Sequence, residues 1–285
     1  IELQPLPVKT ESLKGKTLFI TGASRGIGLT IALKAAEQGA NIAVVAKTVT
    51  EQKNLEGTIF TAVEQINKAG GKGLAIQCDI RSEESVKAAV EKTVQTFGGI
   101  DILINNASAI SLTQTLETDM KKYDLMHSIN SRGTFMCAKY CIPHLKKSSN
   151  PHILTISPPI LLEERWLKDY PAYALAKMGM SVYSLSFSYE LKEEGIASNT
   201  LWPRTAIATA AVKNILGGDI MMERSREPAI MADSANYILN SDASKVTGNA
   251  FLDDEVLIAH GEKDVSRYNC VKGMKNEELV PDFMC

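Results

Sequence analysis

Short runs of β-branched and aliphatic residues recur along the chain, at 17–20 (TLFI), 42–46 (IAVVA), 73–78 (GLAIQC), 100–105 (IDILIN), 152–156 (HILTI) and 196–201 (IASNTL), each followed by a longer stretch with helical spacing. Parallel strands need a crossover between neighbours, usually a helix, so this alternation is the pattern of a parallel sheet. The early runs are almost wholly apolar, which fits strands covered on both sides. The expected fold is α/β, a single doubly wound parallel sheet of Rossmann type with helices on both faces. Gly39, Gly70 and Gly98 stand where helices should stop, and Ser82 before Glu83 and Glu84 reads as an N-cap with acids in the first turn.

At 285 residues, 45% hydrophobic and 22% charged, the chain has material for one large core, so 1–285 is expected to be one domain, with 1–13 as an N-terminal arm and 253–285 as a C-terminal tail. Residues 160–170 and 214–232 lose the alternation and are candidate substrate-side loops. A net charge of −2 gives no field to hold nucleic acid or an anionic membrane, and no segment has the roughly 18 apolar residues of a membrane span. Five scattered cysteines fit no disulfide framework and no zinc spacing; Cys137 and Cys141, near His144, read as core residues, and no metal site is expected. A soluble, intracellular protein is expected, mitochondrial or peroxisomal in a eukaryote and cytoplasmic otherwise, although no targeting signal is visible.

The first run leads directly into Thr21-Gly22-Ala23-Ser24-Arg25-Gly26-Ile27-Gly28 and then a helix. Glycines let backbone approach a pyrophosphate, whose charge is favoured by the N–H groups at a helix start. At the end of the second run an acid would accept from a ribose 2′-hydroxyl, whereas a cation tolerates a 2′-phosphate. Lys47 stands there, and Arg25 in the glycine turn supplies a second positive charge, which favours NADP(H). Either residue taken alone could equally be a solvated surface charge.

TGASRGIG at 21–28, Asp79 after the third run, Asn105-Asn106-Ala107-Ser108, Asn130 and Tyr173-Ala-Leu-Ala-Lys177 occur in this order, and together they resemble the short-chain dehydrogenase/reductase family over about residues 14–252. Further stretches, NNASAISL, ISPP and LWPRTAIATAA, resemble one branch of it. Four residues apart, Tyr173 and Lys177 share a helix face. A neighbouring ammonium is expected to stabilise the phenolate and lower its pKa, making Tyr173 an acid/base. The resemblance implies that Lys177 also binds the nicotinamide ribose and that Asn130 holds a water relaying protons to Lys177. It further implies that Asp79 approaches the adenine, that Asn106 and Ala107 line the nucleotide, that the stretch after Pro203 including Ile207 touches the nicotinamide, and that the protein is a homodimer or homotetramer.

The family places a serine hydroxyl after the fifth strand to orient the substrate carbonyl. Here Pro158 falls at that position, and Ser157, one residue earlier, is the candidate for the role; proline donates no hydrogen bond. Arg204 after Pro203, and Ser108, are milder departures. The expected activity is hydride transfer between NADP(H) and a carbonyl or alcohol. Leu112, Leu161, Leu162, Trp166 and Ile215 are compatible with a fairly apolar small molecule. The other reading is a nucleotide-binding structural or assembly subunit with little turnover, since the serine position is altered.

Overall fold

A computed structural model describes residues 4–53 and 55–283. Its strands are β1 Thr17–Thr21, β2 Asn41–Ala46, β3 Lys72–Gln77, β4 Ile102–Asn105, β5 His152–Ile156, β6 Ala197–Trp202 and β7 Ala250–Leu252. All pair in parallel, in the order β3-β2-β1-β4-β5-β6-β7. Six are the runs read from the sequence. The seventh has three residues, too few to carry a periodic signal.

The helices are α1 Gly26–Ala36, α2 Ile59–Lys68, α3 Glu83–Phe97, α4 Met120–His127, α5 Gly133–Leu145, α6 Glu164–Leu167, α7 Pro171–Glu190, α8 Gly218–Glu223, α9 Ala229–Asn240 and α10 Asp253–Ala259. Alternate side chains of each strand enter two different cores, as the pleat requires. Leu18 and Ile20 of β1 pack with Ile31 and Ala35 of α1, Ile66 of α2 and Ile238 of α9, whereas Phe19 packs with Val86 and Val90 of α3 and with Cys137 and Cys141 of α5. Those two cysteines are therefore core. Ser82 caps α3 by accepting from the Ser85 N–H at 3.2 Å, and Gly98 ends that helix at φ 88°, a conformation costly for a residue with a Cβ.

β1 lies between β2 and β4, so the strand order reverses there, and adjacent crossovers leave to opposite faces of the sheet. The crevice this leaves beyond the carboxyl ends of β1 and β4 is where ligands bind in open parallel sheets. The two turns that flank it are the glycine turn and Asn105–Ser108.

Both flanking segments fold back on this body. Lys9 and Thr10 donate backbone N–H groups to the Asn240 carbonyl at 2.9 and 3.1 Å, and Leu13 is buried. Beyond α10, which packs Val256 and Leu257 into the core, the chain returns to the carboxyl end of the sheet and lies along the segment that follows β6. The irregular stretches become α6 and, after a wide turn at Val212–Leu216, α8. Among the described residues no helix is long and apolar enough to cross a membrane.

Candidate active site

A cavity of about 850 Å³ opens in the crevice. Gly22, Ser24, Arg25, Gly26 and Ile27 line one side, Lys47 and Asp79 the end, and Asn106, Ala107 and Ser108 the other side. Gly28, the remaining glycine, also meets a packing demand. A Cβ there would stand 2.5 Å from Asn106 Nδ2 and 2.9 Å from the Gly22 carbonyl, so its bareness lets α1 pack against β4. Asn106 Nδ2 donates to the carbonyls of Thr21 and Gly22 at 3.0 and 3.2 Å, and the backbone N–H groups of Asn106 and Ala107 both donate to Thr21 Oγ1 at 3.0 Å. The two turns are thereby locked together.

These residues fit a dinucleotide. The start of α1 has no side-chain cap and no acid in its first turn, which leaves its field available to a pyrophosphate. Gly26, at φ 58° where a side chain would be strained, lines the cavity with Thr209. At the far end Lys47 pairs with Asp79 at 3.3 Å, and Arg81 holds the same carboxylate at 2.6 Å. The Arg81 guanidinium keeps Asp79 well below the usual carboxylate range. Arg25 donates to the carbonyls of Glu56 and Gly57 at 2.9 and 2.6 Å, tying the loop after β2 to the glycine turn.

Tyr173 and Lys177 lie one turn apart on α7, 6% and 3% exposed. Lys177 Nζ donates to the Ile156 carbonyl at 2.9 Å and reaches Ser108 Oγ at 3.5 Å, which connects the pair to the cavity wall. Burial pulls the lysine down to about 7, against a raising influence of Asp282. The phenol moves opposite to the sequence expectation: burial, with Asp282 adding to it, lifts Tyr173 above its ordinary value. Burial, which disfavours the charged phenolate, is the larger cause.

Asn130 is buried in a widened helical turn at Ser128–Arg132. Its amide accepts from the Ala109 N–H at 2.8 Å and donates to the Ala109 carbonyl at 3.0 Å, which fixes the segment carrying Ser108. Ser157 is fully buried after β5, and its Oγ accepts from Ser181 Oγ at 2.9 Å. The same Ser181 hydroxyl lies 2.5 Å from the Pro158 carbonyl oxygen, which can only accept, so its one proton serves one of these two acceptors at a time.

Pro203 and Ile207 are buried after β6, and the cavity lining resumes only at Thr209–Ala211 and Ile215. Arg204 is explained by anchoring: its guanidinium bonds Asp254 at 2.6 Å and Glu255 at 2.5 Å, and its N–H bonds Asp253 at 3.0 Å. Leu112 packs beside Tyr173, whereas Leu162 is 76% exposed. Two residues that sequence reasoning missed touch the pair from the end of the chain. The Phe283 ring lies 5.3 Å from that of Tyr173, and Asp282 acts on Lys177. No local pattern marks them, because only the return of the chain after α10 brings them there.

The family described as enoyl-(acyl carrier protein) reductase matches residues 22–255, spanning the glycine turn, the tyrosine–lysine pair and the segment after β6. The chain belongs to the short-chain dehydrogenase/reductase family. Over 274 residues, 96% of this chain, it is 54% identical to hydroxysteroid dehydrogenase-like protein 2 of Xenopus tropicalis and 50% identical to the human protein of that name. The chain spans 64% of the length of each. A short-chain dehydrogenase structure from Mycobacterium thermoresistibile is 52% identical and superposes with a TM-score of 0.90 over 95% of both chains. An NADH-dependent reductase solved with NAD is 25% identical, with a TM-score of 0.69 over 84% of this chain and 95% of that one.

Proposed function

We propose that this chain transfers hydride between NADP(H) and a carbonyl or alcohol, with Tyr173 as acid/base and Lys177 as its partner. The observation that carries the cofactor assignment is Arg25 and Lys47 lining the same cavity as the glycine turn, with no acid on β2. Bound NADP(H) would supply the hydride. Gly22, Ser24, Gly26 and Ile27 would hold its phosphates, Arg25 and Lys47 its 2′-phosphate, Asp79 would approach the adenine, and Asn106 and Ala107 would line the nucleotide. At the reacting end the phenol of Tyr173 carries its proton at neutral pH, as a tyrosine ordinarily does, which suits it to protonate an alkoxide oxygen during reduction. Lys177, near 7, then restores that proton or holds the nicotinamide ribose. Asn130 fixes Ala109 and with it Ser108. Leu112, Tyr170 and Trp166 around Tyr173 and its neighbours suit a fairly apolar substrate.

Titration calorimetry with NADPH and NADH, on the native chain and on Lys47→Ala, tests this reading. NADPH is expected to bind more tightly, and Lys47→Ala to weaken it about tenfold while leaving NADH unchanged, as for loss of one charged phosphate contact. Tighter NADH overturns the NADP assignment alone; binding of neither overturns the oxidoreductase reading. A second reading, a nucleotide-binding subunit with little turnover, is favoured by Pro158 and by the full burial of Ser157. NADPH consumption over a panel of ketones and aldehydes separates the two, with Tyr173→Phe as control.

A further inference from the structure

The cavity stops short of the residues that would do the chemistry. Its wall reaches Ser108–Ile110 and Thr209, whereas Tyr173, Lys177, Pro203 and Ile207 are buried beyond it. What lies against them is the C-terminal strap Val280–Phe283. The Ala206 N–H donates to the Val280 carbonyl at 2.9 Å, the Asp282 N–H donates to the Arg204 carbonyl at 3.0 Å, and Pro281 bridges Thr205, so the strap runs along the Pro203–Ile207 segment itself. At its tip the half-buried ring of Phe283 stands 5.3 Å from Tyr173 and 5.9 Å, edge-on, from Trp166. Its carbonyl accepts from the Trp202 indole N–H at 2.6 Å, and the Lys177 ammonium lies 5.0 Å over that same indole ring.

We propose that this strap is an internal occupant of the reacting end of the cleft, with Phe283 standing on Tyr173 in the place of an apolar, ring-sized group of the substrate, and that it must withdraw before cofactor and substrate can engage the pair. The inference rests on the nucleotide reading above. An aromatic side chain packed between Tyr173 and Trp166 shows what the subsite accepts: a flat apolar group, edge-bonded by aromatic rings. A protein whose competent state is only partly populated binds its ligand more weakly by that fraction. The strap therefore lowers affinity for a whole dinucleotide and leaves untouched a ligand confined to the adenine end.

Both tryptophans of the chain, Trp166 and Trp202, touch Phe283, so their emission reports the strap. The experiment compares the native chain, Phe283→Ala and a chain ending at Val280, titrated with NADP⁺ and with 2′,5′-ADP, which fills the adenine end alone. NADP⁺ is expected to bind both variants about three- to tenfold more tightly than the native chain, with 2′,5′-ADP alike in all three. In the native chain saturating NADP⁺ should shift tryptophan emission toward that of the chain ending at Val280. Equal or weaker NADP⁺ binding by Phe283→Ala, or emission in the native chain that NADP⁺ leaves unmoved, overturns the occupant and leaves the nucleotide reading standing. If neither nucleotide binds any of the three folded chains, the nucleotide reading fails and the proposal falls with it. Phe283→Ala keeps the test decisive should the shortened chain not fold.

Discussion

The ammonium of Lys177 donates to the backbone carbonyl of Ile156 at 2.9 Å, at the last residue of β5. That bond ties helix α7 to the centre of the sheet and explains why a lysine 3% exposed is tolerated there at all. Burial at the same place raises the phenol of Tyr173 above its ordinary value.

Lys177 should cost the fold stability in a pH-dependent way. Its folded value near 7 lies below the roughly 10.4 of an unfolded lysine, so between those values the unfolded chain holds a proton that the folded chain lacks. Stability from this group is complete above about pH 10.4 and is lost as pH falls towards 7. Lys177→Met is expected to unfold at higher denaturant near pH 7, by about 2 kcal/mol after allowing for the lost bond to Ile156, with the gain fading by pH 10. Urea melts at pH 7 and pH 10 check this; a gain that is constant with pH would refute the titration argument.

The turn lock predicts an intolerant glycine. Gly28→Ala puts a methyl 2.5 Å from Asn106 Nδ2, an amide pinned by the carbonyls of Thr21 and Gly22, and 2.9 Å from a backbone oxygen. Neither neighbour can yield without opening the lock, so a loss of about 1–3 kcal/mol is expected, together with weaker nucleotide binding. Thermal melts and NADPH titration measure both. An unchanged melting temperature would mean that α1 and β4 are less tightly registered than the contacts indicate.

Tyr173 and Ser157 should separate cleanly. With whichever carbonyl the panel identifies, Tyr173→Phe should lower kcat at least about 100-fold, as loss of an acid/base does, while NADPH binding persists. Ser157→Ala removes a hydroxyl that is fully buried and outside the cavity lining, and should change kcat less than about threefold, because a hydroxyl that a substrate cannot reach cannot polarise it. A large drop in kcat for Ser157→Ala, with stability unaffected, would restore Ser157 to the reacting site.

The sequence by itself determined the sheet, the glycine turn and the positions of Tyr173 and Lys177, since these rest on local signals: short apolar runs at β1, β2, β4 and β5, and a four-residue step on α7. It also determined which residues line the crevice, because the ends of parallel strands share one edge of the sheet. Tertiary structure alone decided where protons reside. The state of the phenol depends on burial, to which Phe283 contributes, and Ser157 is enclosed beside Ser181, 24 residues along the chain. It also decided the packing demand on Gly28, whose bareness makes room for Asn106. The strap is the plainest case: residues 280–283 carry no periodic signal, and only a chain returning past α10 sets them against residues more than 100 positions earlier. Desolvation and side-chain competition for donors are properties of the packed molecule, and no spacing along the chain encodes them.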